Sequence, residues 1–110
     1  MEKYFVSIKE LKGTCYHEFY KGKWDEKTHW KEDSIYLHDD YMHRDFVKLL
    51  IKNVPNYEYY GPTTVTKEQW DKIKAKATKK GGKAEALVLE VESWISDTFS
   101  KHDEFTILGI

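Results

Sequence analysis

The stretch 83-KAEALVLEVESWISDTFSKHDEFTILGI-110 decides the fold class. Between Lys83 and Ser100, the residues Ala84, Leu87, Val88, Val91, Trp94, Ile95 and Phe99 recur at steps of three and four. That spacing lays them along one side of an amphipathic helix. After the polar break at Lys101-His-Asp-Glu104 comes Phe105-Thr-Ile-Leu-Gly-Ile110, whose aromatic and β-branched content reads as a closing strand buried on both faces. A helix that must bury one stripe, followed by a strand that must be covered twice, calls for helices layered on a sheet.

Working back toward the N-terminus, Thr66-Lys-Glu-Gln69 has the form of a capping box, with Thr66 as the cap and Gln69 reaching back. The helix it opens carries Trp70, Ile73 and Ala77 on one side and ends at Gly81-Gly82. Tyr57-Glu-Tyr-Tyr60 is strand-prone and closes on the turn pair Gly61-Pro62. From Tyr41 to Asn53, Met42, Phe46, Val47, Leu49 and Leu50 define another helix, which Pro55 stops. Ser34-Ile-Tyr-Leu37 reads as a short strand, and Trp24 to Asp33 as a polar loop or long hairpin. Cys15-Tyr-His-Glu-Phe-Tyr20 reads as a second strand, and residues 3–9 as a first one with Tyr4, Val6 and Ile8 on one face. The expectation is a single α+β domain over residues 1–110, a small mixed sheet packed with about three helices.

Composition narrows the function. With 110 residues, 40% hydrophobic and 15% aromatic, the chain carries enough large apolar groups for one modest core. Eighteen basic residues against nineteen acidic ones give a net charge of −1, and Arg44 is the sole arginine. A dedicated nucleic-acid reader is therefore not expected, since such domains are strongly basic and use the planar arginine fork on bases and phosphates. Cys15 is the only cysteine, so no internal disulfide framework is possible. No apolar run reaches the roughly 20 residues of a membrane span. No export signal is evident in MEKYFVSIKE, and the expected location is the cytoplasm.

Several constellations invite chemistry, each beside a plainer account. Cys15 and His17 would share a face of a strand, as a thiol nucleophile and its base would. No third group or oxyanion site accompanies them, and a half-buried strand cysteine is the plainer reading. Asp39 and His43 have the spacing of two metal ligands on a helix, but a site usually needs a third or fourth, so neither metal nor cofactor is expected. Asp39 and Asp40 suit a helix N-terminus by capping its amides and complementing its dipole. With Asp45 they also form an acidic concentration suited to a basic partner. Tyr57, Tyr59 and Tyr60 are aromatics in polar surroundings, which serve either a core or an interface anchor. The seven lysines between Lys67 and Lys83 face only Glu68 and Asp71 in their own segment. They either pair with the acidic block after Glu85, solvate a face, or form a phosphate-binding patch without stacking aromatics.

The strings Tyr60-Gly-Pro-Thr-Thr-Val-Thr-Lys-Glu-Gln-Trp70, Ser93-Trp94-Ile95 and Phe105-Thr-Ile-Leu-Gly-Ile110 resemble those of small immunity proteins that accompany bacterial polymorphic toxins, including toxins of contact-dependent growth inhibition. The resemblance implies a non-enzymatic cytoplasmic protein that neutralises a cognate toxin domain by covering its active site or substrate surface. Many such toxins are nucleases with basic clefts, which an acidic face with aromatic anchors would complement. The expected toxin-binding residues are Asp39, Asp40, Tyr41, Asp45, Tyr59 and Tyr60. Two readings stand beside this one: a small enzyme using Cys15 or a carboxylate cleft, and an RNA-binding module using the lysine patch.

Overall fold

The computed structural model describes residues 3–109, and in it the closing strand takes the position its sequence demands. Strand β5 (Glu104–Leu108) buries Phe105, Thr106, Ile107 and Leu108 in succession, so both of its faces are covered. It lies between β2 (Tyr16–Lys21) and the edge strand β4 (Pro62–Thr66). Beyond β2 lie β3 (Ile35–His38) and then β1 (Phe5–Val6), which gives the order β1-β3-β2-β5-β4. Every pairing is antiparallel, whereas a mixed sheet was expected. The radius of gyration of 12.7 Å matches the roughly 13 Å of a single compact domain of this length. The α+β class holds, while the expected strand end at Ile110 lies outside the described residues.

Cross-strand partners share a face, so the register sorts the side chains. Phe5, Leu37 and His17 align on one face, as do Phe19, Ile107 and Thr63. The helices cover this side. Phe105 is its hub, meeting Trp70, Trp94 and Phe99 with ring centroids 5.8–5.9 Å apart. The opposite face carries Glu18, Tyr20, Tyr36 and Thr106 and is closed by the polar loop before β3. Trp30 stacks on Tyr36 at 5.6 Å, and the Lys31 ammonium sits 4.8 Å from the centre of the Tyr20 ring. Glu18, itself buried, accepts hydrogen bonds from the Trp30 and Lys31 amides and from the Ser34 hydroxyl. This double cover explains why β2 is buried along its length without the alternation of a one-sided strand.

Besides a short 3-10 turn at Ile8–Glu10 that follows the first strand, the helical parts are α1 (Asp39–Tyr41), a π-turn (Met42–Phe46), α2 (Val47–Asn53), α3 (Lys67–Lys80), α4 (Gly82–Glu90) and α5 (Glu92–Lys101). α1, the π-turn and α2 run on as one helical segment, with Met42, Phe46, Val47, Leu49 and Leu50 buried as their spacing predicts. The Thr66–Gln69 capping box forms in both directions, at 3.2 and 2.9 Å. Three expectations need correction. Residues 57–60 form no strand, with bends at Tyr59 and Tyr60, and the strand is Pro62–Thr66, placed by pairing with β5. The last helix divides at Val91 (φ −94°, ψ 1°), because α4 packs along α3 while α5 lies on β5. The first strand is only Phe5–Val6. It buries Phe5 against Phe19, with ring centroids 5.2 Å apart, and leaves Val6 and Ile8 partly exposed. The Glu90 carboxylate holds that strand by accepting from the amides of Tyr4 and Phe5.

Candidate functional site

Two residues beyond Leu37 the chain leaves β3 and turns into the first helix, and that turn builds a polar cluster centred on Asp39. The Asp39 amide donates to the Cys15 carbonyl at 2.9 Å, which ties the helix start to the entrance of β2. His17, fully buried on β2, donates from Nε2 to Asp39 Oδ1 at 2.8 Å. The Tyr59 hydroxyl donates to the same oxygen, and its ring meets that of His17 edge-on at 4.9 Å. One carboxylate thus joins a strand, a helix start and the 57–61 segment. Gly109 completes the support. A side chain there would overlap the Tyr59 carbonyl oxygen and the Tyr60 backbone, and the Gly109 amide donates to the Gly61 carbonyl at 3.2 Å.

The charge states follow from this geometry. Burial pushes the His17 imidazole below its ordinary range, against the opposing pull of Asp39. The ring is therefore neutral, with its proton on Nε2. Its other nitrogen, Nδ1, is buried without a hydrogen-bond partner, so a second proton there would have no acceptor. For Asp39, burial acts to raise the carboxyl, but the hydrogen bonds from Tyr59 and His17 outweigh it and hold the group below the usual range. Tyr59 is pushed well above the tyrosine range by burial and by its bond to Asp39, and Tyr57 by burial and the Asp39 charge. The Tyr57 hydroxyl is also buried without a partner. The cluster at pH 7 is a neutral imidazole and two neutral phenols around one carboxylate.

This arrangement redistributes the expected binding residues. Asp39 and Tyr59 are drawn together in one cluster, where Asp39 Oδ1 accepts from both His17 and Tyr59. Asp45 sits half-buried on the π-turn, with Oδ2 buried and unpartnered. Asp40 is the exposed acid, its amide donating to His38 Nδ1 at 3.1 Å. His38 thus caps the helix, and Asp39 and Asp40 occupy its first turn, a correction to the expectation that these acids are the caps. Tyr41 packs edge-on against Tyr4 at 4.9 Å and carries the Arg44 guanidinium over its ring at 5.7 Å. Together with Tyr16, His38, Asp40 and Arg44 it walls a groove of about 300 Å³. Tyr60 is the most exposed large aromatic, at 70%, and its ring rests against Tyr59 with centroids 5.1 Å apart.

The surface accordingly offers an exposed tyrosine on a fixed base, with the exposed Glu58 carboxylate beside its amide, and a small groove in which Asp40 and Tyr41 meet the cationic side chains of Lys3 and Arg44. The sequence reading missed His17 as its organiser, although its alternation with Phe19 on one strand face was a usable signal. Cys15 is exposed and precedes β2, not half-buried within it, and the bonding nitrogen of His17 is committed to Asp39. Among the described residues, no group of three or more His, Cys, Asp or Glu side chains could hold a metal ion, and no helix is long and apolar enough to cross a membrane. Comparison with protein-family models, with curated proteins and with solved structures found no match for this chain.

Proposed function

We propose that this chain is an immunity-type inhibitor that neutralises a cognate bacterial toxin domain through the surface around Tyr60, Asp40 and Tyr41. The observation that carries this reading is the Tyr60 ring, which stands in solvent while Asp39, Tyr59 and Gly109 fix the backbone beneath it. An aromatic anchor whose base is already ordered loses little conformational freedom on binding, and exposed Tyr residues of this kind are enriched among interface hot spots. Asp40 and Glu58 add negative charge that would steer a basic cleft toward it. The surface is less acidic than the sequence suggested, so the aromatic anchor bears more of the argument than charge does.

The test begins with co-expression. The C-terminal domain of the large protein encoded beside this one should arrest growth alone, and this chain should relieve the arrest. Titration of that domain with Tyr60→Ala and Asp40→Lys variants then tests the surface. Tyr60→Ala should weaken binding by about 2 kcal/mol, roughly 30-fold, and Asp40→Lys should slow association more than it speeds dissociation. Persistent arrest in the presence of soluble, folded chain would rule out that pairing, and unchanged affinity in both variants would move the interface elsewhere. Asp39 is unsuited to this test because reversing it would dismantle the His17–Tyr59 cluster.

A further inference from the structure

The lysines of α3 and the acids of α4 and α5 do not cancel each other. Lys74–Glu92 is the ion pair that joins α3 to α5, while Asp97 is taken by Lys21 and Lys101, and Glu90 binds backbone amides of the first strand. Lys72, Lys76, Lys79, Lys80 and Lys83 are left exposed, with no hydrogen bond or ion pair among the described residues. At helical spacing Lys72, Lys76 and Lys79 fall within an arc of about 60° over about 10 Å of axis. Lys80 flanks them, and Lys83 follows the Gly81 break at the start of α4. Glu68, one turn earlier, forms no ion pair with this row. Like charges so placed weaken a helix, so the row is better accommodated with an anion lying along it.

We infer that this row of α3 is a second binding surface, which takes the phosphate backbone of a nucleic acid without reading its sequence. Lysine is depleted in protein–protein interfaces, whose cores need aromatic or other apolar anchors, and the row offers only Ala75 and Thr78 between its lysines. Contact with a polyanion needs no such anchor, because released counterions supply the affinity. The lack of arginine and stacking aromatics removes base recognition but leaves backbone contact intact.

The experiment measures binding of the full chain to a short labelled DNA duplex by fluorescence anisotropy. If three to five phosphates are neutralised, affinity should fall roughly 40- to 500-fold between about 50 and 200 mM salt. A Lys72→Glu, Lys76→Glu, Lys79→Glu triple variant should lose binding even at the low-salt end. A control with Lys9→Glu, Lys12→Glu and Lys23→Glu, which has the same net charge and exposed positions, should keep most of it. Should charge reversal disturb the helix by circular dichroism, the Lys→Gln triple at the same α3 positions replaces it, with a salt slope shallower by about 3. Absence of wild-type binding at low salt would overturn the inference, as would equal losses in the α3 and control variants. Tighter binding to poly-glutamate than to the duplex would overturn it in favour of an acidic protein partner.

Discussion

Tyr57 and Tyr59 lie two positions apart and are both held above the ordinary tyrosine range, yet their hydroxyls have opposite circumstances. The Tyr59 hydroxyl donates to an ionised carboxylate, and the Tyr57 hydroxyl is buried with no partner. A hydrogen bond to a charged group contributes about 1.5–3 kcal/mol, whereas deleting an unsatisfied buried hydroxyl is close to neutral or stabilising. Tyr59→Phe should therefore lower the unfolding free energy by about 2 kcal/mol, and Tyr57→Phe should leave it unchanged or raise it. Denaturant titration of the two variants checks this, since equal losses would mean that the rings and not the hydroxyls hold the segment. Their positions were legible in the sequence as an aromatic anomaly, but their roles were not. Asp39, His17 and Tyr59 come from segments that only the folded sheet brings together, and no local pattern encodes that meeting.

At the scale of elements, the loop before β3 owes its order to one carboxylate. Glu18 accepts from the Trp30 amide at 2.7 Å, the Lys31 amide at 3.0 Å and the Ser34 hydroxyl at 2.7 Å. Trp30 adopts φ 59°, a conformation costly for a bulky residue and held by this anchor and by stacking on Tyr36. Replacing Glu18 with Gln turns an amide group toward donors and removes the charge, so at least one bond is lost. Glu18→Gln should cost about 2 kcal/mol and speed hydrogen exchange at the Trp30 and Lys31 amides well before the strands exchange. Unaltered protection there would show that stacking alone orders the loop. The helices were legible because their signals are local: the Thr66–Gln69 box and the stripes at Met42–Leu50 and Ala84–Ile95 stand in contiguous sequence. Strand β4 was not, because Pro62-Thr-Thr-Val-Thr66 becomes a strand through its register with β5, and the more strand-prone Tyr57–Tyr60 is held in an irregular course by side-chain contacts. The break at Val91 was equally hidden, since no glycine or proline marks it and the divergence of its two packing partners produces it.

For the whole molecule, the pair of buried His17 and half-buried Asp39 couples global stability to pH. The folded-state pKa of His17 is depressed below its unfolded value near 6.5, so the unfolded chain takes up the proton first as pH falls. Below about 6.5 the unfolded state therefore binds more protons at this position, and stability declines with pH until the folded imidazole titrates too. Asp39 acts in a lower window with the same sign. Its folded pKa lies below the unfolded 3.8, so the stability it contributes is present above that value and is lost as pH falls through the folded one. Two losses in sequence are expected on acidification, the first with a slope approaching but not exceeding about 1.4 kcal/mol per pH unit. His17→Gln retains an amide that can donate to Asp39 but does not titrate. It should be less stable at pH 7 yet flatter between pH 6.5 and 5, while the Asp39 window remains. Denaturant unfolding at a series of pH values resolves the two windows. A slope between pH 6.5 and 5 as steep in His17→Gln as in the wild type would place the responsible proton on another group, and the neutral, Nε2-protonated state assigned to this imidazole would no longer explain the acid response.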